Sequence, residues 1–180
     1  MPVSQPSRRL FLKTVAAAAP ALWIPKMAFA SETAARALNF LHTHTSERLS
    51  IEYFAGGGYL PGALTEVNHF LRDFRTGDIH VIDPGLLDLL HQLGATTGTA
   101  KPYQVISGYR SPATNAMLHA HSEGVASGSL HMQGQAIDIR LADVPLPRLH
   151  AAALSLKKGG VGYYPASDFV HVDTGRVRTW

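Results

Sequence analysis

Apolar and polar positions change period several times along this chain, and each change predicts an element. From Leu38 to Phe54, apolar runs flank Thr45-Ser46-Glu47 and predict a β-hairpin. Leu64, Val67, Phe70, Leu71 and Phe74 fall on helical spacing and predict a helix over 65–75. Asp83-Pro84 opens a second helix, with Asp83 as N-cap and Pro84 at the first helical position. Leu86, Leu87, Leu89, Leu90 and Leu93 form its core face, and Gly94 is expected to end it.

Tyr103 to Ser107 predicts a strand that turns out through Gly108-Tyr109-Arg110-Ser111-Pro112. Ala113 to His121 predicts a third helix, and Ser122 to Gly128 a loop of small residues. Ala136 to Leu141 reads as a strand, and Pro147 to Lys158 as a helix closed by Gly159-Gly160. Val161 to Tyr164 and Phe169 to Asp173 read as paired strands. Helices come early and strands gather late, so the expected class is α+β with a mostly antiparallel sheet and helices on one side. There is no internal repeat.

Residues 1–30 carry a different pattern. Ser7-Arg8-Arg9-Leu10-Phe11-Leu12-Lys13 precedes a mildly apolar run to Ile24 and then Ala28-Phe29-Ala30. A basic start, an apolar centre and an A-x-A end predict a cleaved signal peptide, and the paired arginines resemble a twin-arginine (Tat) signal. Pro20 and Pro25 interrupt the run, which falls short of the roughly 20 residues a membrane span needs. The expected organisation is a signal over 1–30 and one domain over 31–180, exported to the periplasm.

That division changes the charge reading. Of 16 Lys and Arg, Arg8, Arg9, Lys13 and Lys26 lie before Ser31, where there is no acid. Residues 31–180 therefore hold 12 basic and 13 acidic residues, a formal net charge of −1. Global charge gives no case for nucleic-acid binding. Absence of cysteine excludes disulfides and thiolate metal sites. The domain is expected to be a monomer with no membrane span.

The candidate chemistry lies in Ser129-Leu-His131-Met-Gln-Gly134-Gln-Ala136-Ile-Asp138 and Phe169-Val-His171-Val-Asp173. Two imidazoles and a carboxylate suit a tetrahedral Zn²⁺ with its fourth position open, the catalytic rather than the structural arrangement. His131 and Asp138 are too far apart for one extended strand to aim both at one ion. A turn at Gly134 would bring them together. Taken alone, a loop histidine and a satisfied sheet carboxylate are as good a reading. His171 shifts the balance: alternation puts it on one strand face with Asp173, leaving Val170 and Val172 for the core. His119 and His121, two apart on a helix, do not share a face and read as rim residues. His42 and His44 have no third ligand nearby in sequence.

These motifs, with Ser107-Gly-Tyr-Arg-Ser111, Gly159-Gly-Val-Gly-Tyr-Tyr-Pro165 and Arg176-Val-Arg-Thr-Trp180, resemble the D-Ala-D-Ala metallopeptidase superfamily, which includes the hedgehog domain. The likeness is closer to its YcbK-like murein endopeptidases and covers nearly the whole chain. It implies a hedgehog/DD-peptidase fold and Zn²⁺ held by His131, Asp138 and His171. It also implies hydrolysis of D-Ala–diaminopimelate or diaminopimelate–diaminopimelate cross-links in peptidoglycan by a zinc-bound water. Asp168, three residues before His171, is favoured as general base by the family's spacing, and Asp173 is its competitor. Asp173 otherwise orients a ligand or Arg110. Arg110 is expected to bind a substrate carboxylate or the oxyanion. A carboxypeptidase trimming terminal D-Ala, and a non-catalytic zinc-stabilised wall-binding module, are the alternatives.

Overall fold

The computed structural model describes Met1 and residues 34–121 and 126–180. The expected signal, apart from Met1, and residues 122–125 of the small-residue loop lie outside the described residues. Among those described, no helix is long and apolar enough to cross a membrane.

The predicted hairpin forms from β1 (Arg36–His42) and β2 (Arg48–Ala55). Leu38, Phe40 and His42 alternate inward on β1, opposite Ile51 and Tyr53 on β2. A two-residue β3 (Gly58–Tyr59) extends the sheet and leads into α1 (Pro61–Phe70). That helix starts four residues before the predicted position, because Pro61 supplies a pre-set first turn. It stops at Phe70, short of the predicted Arg75. Leu71 leaves the helix yet stays buried, and its carbonyl accepts a hydrogen bond from the Tyr109 N–H at 2.8 Å. The apolar position of Leu71 therefore reported burial rather than helix, and Phe74 beyond it is half-buried.

α2 (Pro84–Thr97) has the predicted cap, with the Asp83 side chain accepting from the Gly85 N–H. Gly94 does not end it. The helix continues to Thr97, and Gly98, at φ +71°, is the left-handed stop. β4 (Tyr103–Ser107) lies against this helix, and the Tyr103 hydroxyl donates to the Leu90 carbonyl at 2.7 Å. α3 (Pro112–His121), β5 (Ala136–Leu141), α4 (Leu146–Leu156), β6 (Gly160–Tyr164) and β7 (Phe169–Asp173) match their predicted places within one or two residues. A short β8 (Arg178–Thr179) closes the order.

The eight strands run β3-β2-β1-β4-β5-β7-β6-β8. β1–β4 and β6–β8 are parallel; the other pairs are antiparallel. α1, α2 and α4 cover one face. Leu86, Leu90 and Leu149 join Phe40, Val105, Ile137, Ile139, Val170 and Val172 there in one core. Residues of opposite parity, Asp138 on β5 and His171 on β7, therefore point out of the other face in the middle of the sheet.

His42 is in the fold but not in a metal site. Its Nδ1 accepts from the N–H groups of His44 and Thr45, closing the hairpin turn, and its ring is almost wholly buried. Burial lowers its pKa to about 4. The folded ring stays neutral between about 6.5 and about 4 while the unfolded ring takes up a proton. Stability is therefore lost as pH falls through that window. Urea titrations of metal-free protein at pH 7.5 and 4.5 are expected to show a loss of at most about 3 kcal/mol. His42→Gln should remove this loss and leave the opposite drift of His171, whose pKa the metal-free site raises, and a slope unchanged by the substitution would show that His42 is not its source.

Candidate metal centre

Local structure explains how three sequence-distant donors meet. Leu130–Gln133 forms one tight 3₁₀ turn, capped by the Ser129 side chain and ended by Gly134 at φ +66°. A side chain at 134 would be strained there and would strike the Val81 carbonyl. This turn folds His131 back over β5, as the sequence spacing required. Asp138 and His171 need no such device, because the β5–β7 register sets them directly opposite each other.

His131 Nε2, Asp138 Oδ1 and His171 Nδ1 form a triangle with sides of 3.2, 3.2 and 2.9 Å. All three residues are buried, and among the described residues they are the group placed to hold a metal ion. Each imidazole has its other nitrogen committed. His131 Nδ1–H donates to the Gly108 carbonyl at 2.7 Å, and His171 Nε2–H donates to Asp173 Oδ2 at 3.0 Å. A carbonyl and a carboxylate only accept, so both inward nitrogens present bare lone pairs. Two lone pairs and a carboxylate oxygen at this separation repel unless a cation sits among them. Donors about 2.0–2.2 Å from a tetrahedral ion would lie ~3.3 Å apart, so the donor set fits Zn²⁺.

The electrostatics reflect the same demand. Burial alone would raise the Asp138 carboxyl, but His131 and His171 outweigh it and hold it below the usual carboxylate range. Burial would lower His171, but its hydrogen bonds to Asp138 and Asp173 reverse that and raise it to about 9. A proton thus answers the need for positive charge in the metal-free site, and metal must displace it.

Asp173 lies behind His171 and is fully buried. Both its oxygens are engaged, by the Gly160 and Gly175 N–H groups, by two Arg178 nitrogens at 3.0 and 2.7 Å, and by His171. Arg178 carried no assigned role in the sequence, because its contact to Asp173 is made around the turn before β8. Gly159-Gly160 is part of the same assembly. The predicted closure of α4 by this pair does not hold, because the helix ends at Leu156 with Lys157 as its left-handed cap; a side chain at 159 would overlap the Asp173 carbonyl, so the pair serves close backbone approach instead. Asp168 sits differently. Its side chain is 63% exposed and accepts from Arg140 Nη1 at 2.8 Å. Neighbours Ser167 and Phe169 line the cleft, which puts Asp168 at its rim.

Arg110 is buried beside the triad, its Nη2 3.6 Å from Asp138 Oδ2 and its Nη1 3.4 Å from Asn115 Oδ1. Burial lowers its pKa, and Asp138 opposes part of that fall. The cleft over these residues has a volume of about 530 Å³. It follows the strand order, from His44 and Arg75 beyond β1, across the triad, to Tyr164 and Trp180 at β6 and β8. The far wall is aromatic. Trp180 Nε1–H donates to the Tyr164 hydroxyl at 2.7 Å, and its ring lies 5.2 Å from that of His171. His119 and His121 lie outside the triad, and His121 Nδ1 bonds the Met117 carbonyl within its own helix.

Known proteins match this chain over most of its length. Residues 30–180 match the family model Peptidase_M15_2, described as peptidoglycan L,D-endopeptidase MepK. The peptidoglycan L,D-endopeptidase MepK of Escherichia coli strain K12 is 47% identical over 171 residues, covering 95% of this chain and 94% of that protein. The protein of the same name from Shigella flexneri is equally similar. A Haemophilus influenzae protein named "probable peptidoglycan L,D-endopeptidase MepK" is 44% identical over 155 residues, covering 86% of this chain and 83% of its own length.

Proposed function

Since the chain belongs to the peptidoglycan L,D-endopeptidase MepK family, we propose that it is a zinc peptidase of peptidoglycan cross-links. The L,D specificity in its relatives' names selects the diaminopimelate–diaminopimelate kind, in which an L-centre carbonyl is joined to a D-centre amine. The observation that carries the reading is the buried triangle of bare donors at the floor of a cleft that continues past it on both sides. A terminal-residue trimmer needs room on only one side.

His131, Asp138 and His171 would hold the ion. When bound, zinc would polarise the scissile carbonyl and acidify water for attack on it. The chain's own residues supply the rest. Asp173 fixes the His171 tautomer and ring angle, as the Gly108 carbonyl does for His131. Its oxygens have no capacity left for a travelling proton. Asp168 is the carboxylate free enough to take a proton from water and pass it to the leaving amine. Arg110, anchored beside Asp138, offers charge to the developing oxyanion or to a substrate carboxylate. We place this chemistry in the periplasm, with residues 1–30 as a Tat signal and residues 31–180 acting as a monomer.

The test is digestion of isolated sacculi by zinc-loaded protein, with products resolved by liquid chromatography and mass spectrometry. Diaminopimelate–diaminopimelate dimers should fall and monomers rise, a chelator should stop the change, and added zinc should restore it. Intact dimers alongside released D-Ala would replace the proposal with a carboxypeptidase. Intact dimers with no new amine would leave a binding module.

A further inference from the structure

Three arginines line the cleft, and two are committed. Arg178 is paired with Asp173, and Arg110 faces Asp138. Among the described residues no carboxylate pairs with the third, Arg75. Its guanidinium instead lies over the Phe74 ring, 4.2 Å from the centroid, and Phe74 in turn stacks on His44 at 4.3 Å and 10° between planes. A guanidinium resting over a ring loses rotational freedom while its N–H groups stay available to an anion.

This position is built, not incidental. Asp73 is almost completely buried. Its Oδ1 accepts from the Arg75 N–H and its Oδ2 from the Ser111 N–H, each at 2.9 Å. One buried carboxylate therefore ties together the backbone next to Arg110 and the backbone of Arg75. Both arginines line the same cleft.

We propose that Arg75 is a substrate-carboxylate anchor at the β1 end of the cleft. It takes the free carboxylate of one diaminopimelate arm, while Arg110 serves the centre beside the metal ligands. The proposal rests on the cross-link reading above and adds a specificity to it. Cross-links with free carboxylates are held there, and cross-links whose carboxylates are amidated lose that contact.

The experiment compares wild type, Arg75→Gln and Arg75→Lys, all zinc-loaded, on two purified diaminopimelate-linked dimers, one with free carboxylates and one amidated. Arg75→Gln should raise KM for the free-acid dimer about tenfold, the size of one charge-assisted contact, with kcat within about twofold. It should leave the amidated dimer and the zinc content unchanged. Arg75→Lys should recover part of the loss, since charge returns without the fork. An unchanged KM, or an equal loss on both dimers, overturns the proposal. Equilibrium binding of the same dimers reads the same contrast without turnover. A wild type that cuts neither dimer would therefore sink the proposed activity and still leave the role of Arg75 measured.

Discussion

His171→Ala is expected to leave a folded chain with no measurable hydrolysis and no stably bound zinc. The substitution removes one of three donors and leaves His131 and Asp138, which do not complete a tetrahedral site. If the ion contributes several kcal/mol of charge stabilisation, its loss corresponds to a rate decrease of about 10³-fold or more. The fold should survive, because the carboxylates left behind are not orphaned. Asp173 keeps Arg178 and two backbone N–H groups, and Asp138 keeps His131 with Arg110 nearby. A stability cost of about 1–3 kcal/mol is expected from the lost hydrogen bonds and the small cavity. Zinc content by elemental analysis, a thermal melt and the sacculus digest are the three readouts. Full activity in a folded His171→Ala chain would remove the metal from the mechanism altogether.

Local features of the sequence were readable, and features made by distant contact were not. Strand alternation put His171 and Asp173 on one face, and the glycine at 134 announced the turn that His131 needs. Asp83-Pro84 marked the α2 start because a cap and a preset φ are local chemistry. The end of α2 misled, since Gly94 and Gly98 look alike in sequence. Only the structure shows that a side chain at 94 would meet the Tyr103 hydroxyl in a tight contact at 3.3 Å, and that Gly98 carries the left-handed φ. β3 and β8, two residues each, are too short to show a period. The hold of Asp73 on Ser111 spans 38 positions, so the link between the Arg75 and Arg110 segments was invisible until the chain folded. The same holds for Asp173. Its spacing made it a plausible base, and only its five surrounding donor groups show that its oxygens are already used.

That distinction gives the second large effect. Asp168→Asn is expected to reduce kcat by about 10²–10⁴-fold, the usual worth of a positioned acid–base group, while zinc stays bound. The amide keeps the shape of the side chain and can still accept from Arg140, so neither fold nor site geometry should change. Asp173→Asn should do the reverse. Its amide brings an N–H₂ among groups that all donate, so at least one contact with Gly160, Gly175, Arg178 or His171 must break. With His171 less firmly oriented, zinc affinity is expected to fall about 10–100-fold. A zinc titration of both variants separates the two roles. Activity of Asp173→Asn should climb back as zinc saturates the site, because its defect is in holding the ion. Activity of Asp168→Asn should stay low at every concentration, because its defect is in moving a proton. If excess zinc rescued Asp168→Asn and left Asp173→Asn inactive, the two carboxylates would exchange roles, and the exposed rim residue would be the one that supports the metal.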